Sequence, residues 1–403
     1  MDISDLRAKL GDALGGRLQS LQTLALGFAV AGALLTVVGF FMHAPTVAQS
    51  YLYAWVFWTG VSVGSLALLA LHHTVGGGWG FILRRFLESG VRLLPVMAIL
   101  FIPIALSIPV LYEWAHPEAA HDTIIRQKAI WLNTPGFLIR TVIYFAIWIG
   151  LGYFVFLKLG ASQDERGDLA VSDRLNRWGA ATLLIYVTTT TFAAVDWVMS
   201  LTPHWYSSIF GLLMVASQGL STLALMLALA GYLGRGQRLI QVAPSGFFRD
   251  LGNLLLALTM LWAYMSFSQL IIIYSGNVAE EVVWYLDRIR HLWWVFAAIN
   301  GAHFFLPFFV LLIRSDVKKN PIKLGYVALL IVVLRHLDIF WWVAPTFRKT
   351  VALNPADLGA PLLLGGIWLW VWAAGLKERT VLPVRDPRLE GALPLHQVET
   401  FHG

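Results

Sequence analysis

Along the chain, hydrophobic runs of about twenty residues alternate with short polar stretches. That is the length that carries an α-helix through a hydrocarbon core at about 1.5 Å per residue. The runs fall near Leu21 to Phe41, Tyr51 to Leu71, Leu93 to Leu111, Gly136 to Leu157 and Trp178 to Met199, then Ile209 to Leu233, Leu251 to Tyr274, Leu292 to Ile313, Leu324 to Val343 and Leu358 to Leu376. The pattern predicts an all-α polytopic membrane protein of about ten transmembrane helices. The first run is too long for a secretory signal and lacks a small-residue cleavage site, so it reads as a retained helix.

Internal similarity divides the spans further. Ser65 to Leu71 in span two resembles Thr222 to Ala228 in span six, and Phe86 to Gly90 resembles Phe248 to Gly252. Spans five and nine each carry an Asp followed seven residues later by a Pro, Asp196 with Pro203 and Asp338 with Pro345. Four helices per copy is an even number, so both copies would share one orientation across the membrane. The expected layout is a polar N-terminal segment (1–20), flanking helix one with its loop (21–50), one four-helix bundle (51–200), a second (201–345), flanking helix ten (346–381) and a polar tail (382–403).

Composition agrees with a lipid environment: 58% of residues are hydrophobic and 13% charged, against about 25% charged in soluble domains. The net charge of +6 would suggest nucleic acid if it lay on one surface. Instead 21 of the 29 Lys and Arg fall in the termini and alternate loops, from Arg7 through Arg84, Arg85 and Arg92 to Arg388. The positive-inside rule then places both termini in the cytoplasm of a bacterial inner membrane, with lipid and no nucleic acid as surroundings. The chain has no cysteine, which excludes thiolate-held iron-sulfur clusters, c-type haem attachment and disulfides on this subunit.

Only two acidic residues lie within the spans, Asp196 and Asp338, both toward the side opposite the termini. A carboxylate in hydrocarbon is costly unless paired or protonated, so each is a candidate for function as well as for a structural ion pair. Arg335 sits three residues before Asp338 on the same helical face, whereas His336 points elsewhere. Asn300 and His303 share a face of span eight, followed by Pro307; a haem held between His303 and His336 is a minor alternative to titration or hydrogen bonding. Thr259, Trp262, Ser266 and Gln269, with Tyr264 nearby, form a polar stripe on span seven that must face other helices or a cavity. Asp196 has no cation within a turn on its own helix and reads as the proton-exchanging member of the pair. The set Asp196, Tyr264, Gln269, His303, Arg335, His336 and Asp338 thus outlines a proton path or a quinone head-group pocket, with no catalytic residue and no metal ligand among them.

Three stretches resemble the ActF family, the NrfD-like membrane subunits of alternative complex III. The first is His-Thr-Val-Gly-Gly-Gly-Trp-Gly-Phe-Ile-Leu-Arg-Arg-Phe-Leu-Glu from His73 to Glu88. The second is Asp-Trp-Val-Met-Ser-Leu-Thr-Pro-His-Trp-Tyr-Ser from Asp196 to Ser207. The third runs from Leu261 to Asn277, with Glu280, Glu281, Trp284 and Tyr285 after it. The resemblance implies a subunit without its own cofactors in a quinol:cytochrome c oxidoreductase. Haem c and iron-sulfur clusters would sit on partner subunits, beside an ActC-like membrane subunit, and quinol is a possible ligand here. The competing readings are a secondary transporter, to which intramembrane Asp, His and Arg are also suited, and a purely structural membrane anchor.

Overall fold

The computed structural model describes residues 3–234, 245–377, 386 and 388, with side chains from residue 15 onward. The expected polar tail (382–403) lies outside the described residues apart from Asp386 and Arg388, and so do Arg235, Arg238, Arg379 and Arg385. All regular structure among the described residues is helical. In chain order the helices are α1 (Ile3–Val75), α2 (Trp79–Val91), α3 (Leu94–Ile99), α4 (Ile102–Leu106), α5 (Ile108–Leu111), α6 (Thr123–Gln127), α7 (Thr134–Ile149), α8 (Lys158–Arg166), α9 (Leu169–Trp197), α10 (Phe210–Leu233), α11 (Ser245–Gly276), α12 (Ala279–Ile289), α13 (Trp293–Ile313), α14 (Ser315–Lys319), α15 (Pro321–Phe347) and α16 (Ala356–Lys377). Nine stretches among them are long and apolar enough to cross a membrane. The chain is therefore a multi-pass membrane protein.

The first of the nine, Gly15–Val75, is 61 residues long and supplies two crossings. At His43 the backbone leaves the helical region (φ −163°, ψ 95°), where Pro45 cannot donate to the preceding turn. The second arm doubles back, and both arms lie along α16. Trp58 Nε1 of the second arm donates to Pro361 O at 3.1 Å, and Trp368 Nε1 donates to Ser62 Oγ at 2.9 Å. The first arm meets α16 backbone to backbone: a Cβ on Gly366 would lie 2.4 Å from Ala29 N, and one on Gly32 2.2 Å from Leu363 N. Only small residues permit such an approach.

Span three departs from the hydrophobic reading, which starts it at Leu93 and leaves Arg84 and Arg85 in a loop. The structure starts the helix at Trp79, straight after a turn with Gly76 and Gly77 at φ +73° and +90°, and buries both arginines. Hydropathy misses this turn because charges that neutralise each other inside a protein still score as polar. Beyond Val91 the span breaks into α3, α4 and α5, each with a proline in its first turn (Pro95, Pro103, Pro109).

The second arm of α1, the α2–α5 span, α7 and α9 pack in one ring around Trp55, Phe145, Trp148 and Trp197. Helices α10, α11, α13 and α15 pack in another. The rings meet where the second arm crosses α10, closely enough that a Cβ on Gly64 would fall 2.2 Å from Thr222 Oγ1. Arg348 and Asp357 clasp the end of α15 to the start of α16 at 2.7 and 2.8 Å, with Ser50 Oγ donating to the same carboxylate at 2.6 Å. This clasp marks the face opposite the C-terminus.

Candidate functional site

Helix α15 brings Arg335 and Asp338 into the interior of the second ring, both essentially without exposure. Three-residue spacing puts them on one face, and Arg335 Nη1 donates to Asp338 Oδ2. The same guanidinium donates to Ser217 Oγ and, at 3.4 Å, reaches Ser221 Oγ, one turn apart on α10. Its plane faces the Trp262 ring of α11 at 4.9 Å. Arg335 is thus held by three helices, and its charge is balanced by a carboxylate on its own.

The fourth helix of the ring, α13, supplies Asn300 and His303. The His303 ring lies 4.2 Å from the Trp262 ring, fully buried. Neither of its nitrogens has a hydrogen-bond partner, nor has Trp262 Nε1 or Asn300 Oδ1. Trp262 and Asn300 both face the Asp338 carboxylate. Pro307 follows four residues after His303 inside the helix and leaves the His303 carbonyl without its usual donor. Buried polar atoms normally find partners, and each one left alone costs about 1–3 kcal/mol. Four such atoms gather around this one ion pair.

Asp196 in the first ring has the opposite character. Arg140 of α7 binds it through Nε to Oδ2 at 2.9 Å and Nη2 to Oδ1 at 2.8 Å. Trp131 Nε1 donates to Oδ1 at 2.9 Å and Tyr144 OH to Oδ2 at 2.8 Å. Four donors use the acceptor capacity of a carboxylate. The reading of Asp196 as a carboxylate without a cation is corrected here, because its cation comes from another helix.

The remaining candidates are not gathered with Arg335 and Asp338. Gln269 accepts from Ser207 Oγ at 3.1 Å and donates to Tyr285 OH at 3.2 Å, in a separate group near the end of α11; burial pushes the Tyr285 phenol up to about 12. His336 stacks on Phe57 of the second arm at 3.5 Å between ring centres. His303 and His336 therefore pack against different helices. Tyr264 is 69% exposed on the outer side of α11.

Several charged groups escaped the sequence reading. Arg288 of α12 is buried, which pushes its pKa down to about 9. It lies 3.7 Å over the Trp284 ring and donates to Trp342 O at 2.6 Å, capping the last turns of α15. On the C-terminal face, Arg84 donates to Glu88 at 3.0 Å and to Asp386 at 2.8 Å, while Arg85 donates to Glu88 at 2.7 Å and to Asp164 at 2.6 Å. The four- and three-residue spacings of Arg84 and Arg85 to Glu88 are traces of this cluster in the sequence. No protein-family model matches this chain, and no curated protein matches it either.

Proposed function

We propose that this chain is a membrane subunit of a quinol-oxidising complex of the alternative complex III type, and that the buried Arg335–Asp338 cluster is its working site. The observation that carries the reading is the buried ion pair ringed by the unpartnered atoms of Trp262, Asn300 and His303. A quinone head group offers two oxygens that accept or donate hydrogen bonds and a flat apolar ring that suits the Trp262 and His303 faces. Asp338 then takes a proton from a quinol hydroxyl while Arg335, held by Ser217 and Ser221, stabilises the charge left behind. Asp196, whose lone pairs are all engaged, has a structural part. The motifs from His73, Asp196 and Leu261 support membership of the complex, and the absence of cysteine fits haem c and iron-sulfur clusters carried by partner subunits.

The test is purification in mild detergent followed by identification of the co-purifying chains and quinol turnover. Co-purification with a multihaem cytochrome and an iron-sulfur chain, and a loss of at least ten-fold in turnover in assembled Asp338→Asn, are the expected results. A chain that purifies alone and drives ion-coupled uptake in vesicles would favour the transporter reading. Assembled Asp338→Asn with full turnover would leave the cluster without a redox role.

A further inference from the structure

A short helix lies across the end of the second ring that faces away from the C-terminus. Between α11 and α13 the chain runs as α12, which is fastened to three neighbours. Tyr285 OH accepts from Gln269 Nε2 of α11 at 3.2 Å. Arg288 donates through Nη2 to Trp342 O at 2.6 Å and to Thr346 Oγ1 at 3.0 Å, both on α15, while its own carbonyl accepts from Trp341 Nε1 at 3.0 Å. Trp284 stacks on Trp205, ahead of α10, with ring centres 4.8 Å apart and planes at 16°. Asp338 precedes Trp342 on α15 by about one helical turn, roughly 6 Å along the axis, and Tyr285 stands within reach of its charge. Helix α12 therefore borders the buried cluster on its outer side.

Both joints of this helix are strained. Among the described residues, three other than glycine adopt the left-handed region, and all three bracket α12: Asn277 (φ 47°) before it, His291 (φ 47°) and Leu292 (φ 73°) after it. Asparagine visits that region readily, whereas the Cβ of a leucine there crowds the following carbonyl. Leu292 is also the N-cap of α13 and supplies no side-chain cap. Such strain persists only where the surroundings over-determine it, and here they consist of the contacts of Trp284, Tyr285 and Arg288. Among the described residues no carboxylate forms an ion pair with the buried Arg288, and its Nε has no partner. A guanidinium held by carbonyl and hydroxyl oxygens is gripped less firmly than one in a bidentate carboxylate pair. The cluster inside needs an opening, because Trp262, His303, Arg335 and Asp338 are all buried and neither a proton nor a ligand reaches them unless a covering segment moves.

We infer that α12 is a lid over the outer end of the second ring, strained at both joints and held shut by Arg288, and that its opening connects the Asp338 cluster with the aqueous face opposite the C-terminus. Closing stores the strain at Leu292, and opening releases it. What passes through the opening rests on the reading of the Asp338 cluster as the working site; the lid itself does not.

The chain lacks cysteine, so Gln269→Cys introduces its sole thiol at a buried position that faces α12. Labelling of the full-length, detergent-solubilised protein by a charged maleimide then reads opening. In that background Leu292→Gly relieves the closed joint and slows labelling about five-fold, whereas Arg288→Met removes the grip and speeds it about ten-fold. Should Arg288→Met fail to fold, Trp341→Phe keeps a ring, removes the bond to the Arg288 carbonyl and still speeds labelling. A rate that Leu292→Gly leaves unchanged or raises overturns the inference. So does a rate unmoved by Arg288→Met or, where that variant does not fold, by Trp341→Phe, which would show a fixed cap. Labelling needs no quinol, so it reads the lid even in a chain that oxidises none; turnover of assembled Asp338→Asn tests that reading separately.

Discussion

Arg140 and Asp196, on different helices, meet through two nearly parallel hydrogen bonds of 2.9 and 2.8 Å. Removing one partner strands a charge in a nonpolar surrounding, which costs about 3–5 kcal/mol, whereas replacing both by apolar residues of similar volume is often close to neutral. Arg140→Gln and Asp196→Asn should therefore each lower the unfolding midpoint in detergent sharply, and the double change Arg140→Met/Asp196→Leu should cost less than either. The fraction of Asp196→Asn that assembles should retain turnover. An unchanged midpoint for Asp196→Asn would refute the structural role.

His303 invites the opposite experiment. Because neither ring nitrogen is partnered, His303→Phe removes an unmet polar demand while keeping a flat ring against Trp262. Stability should hold or rise by about 1 kcal/mol, while quinol turnover of the assembled complex falls at least ten-fold. Loss of stability with turnover intact would mean that the imidazole serves packing rather than a ligand.

Gly366 supplies a packing test. A Cβ there would sit 2.4 Å from Ala29 N and 2.5 Å from Ala25 O, and backbone has little room to yield. Overpacking of this kind costs about 1–3 kcal/mol, so Gly366→Ala should lower the midpoint, whereas Gly27→Ala, with no atom within 4 Å of its Cβ, should not. Equal effects at the two glycines would argue against the close helix pair.

The spans were legible because twenty apolar residues in a row have few other homes, and the helical fold follows from them. Charges that meet inside were not. Asp196 finds its arginine 56 residues away in sequence, and Asp386 finds Arg84 at a separation of 302, distances over which no local spacing carries a signal. Arg335 with Asp338 was legible because one helical turn joins them. His303 and Asn300 were recognised as one face, but their lack of partners is a property of packing alone.

Acid should weaken the hold of Arg84 and Arg388 on Asp386. Burial alone would raise the pKa of Asp386, but the hydrogen bonds and charge of Arg388 and the charge of Arg84 outweigh it and hold the carboxyl below its ordinary value. Glu88, His72 and His73 are the other titratable groups beside these arginines. A depressed folded pKa gives stability that is full above the unfolded value of about 3.9 and is lost as pH falls through the lower folded one. The difference in unfolding midpoint between the native chain and Asp386→Asn should be full near pH 6 and shrink as pH falls below about 4. A difference independent of pH would contradict an ionised Asp386.

Sidedness can be read with the same cysteine-free background. Lys319 ends α14 and Ser207 follows α9, on opposite faces of the fold. Single thiols at Lys319→Cys and Ser207→Cys should label from opposite sides of sealed vesicles, the former from the cytoplasm. Labelling from one common side would break the ten-crossing arrangement.

The contact of α16 with both arms of α1 joins residues more than 300 positions apart, as Trp58 with Pro361 and Ser62 with Trp368. During synthesis the two arms of α1 are made long before Gly359 and Gly366 exist, so the small-residue stripe of Ala25, Ala29 and Gly32 meets its partner only when α16 follows. A chain that stops before Ala356 therefore holds the hairpin of α1 without the helix it packs on.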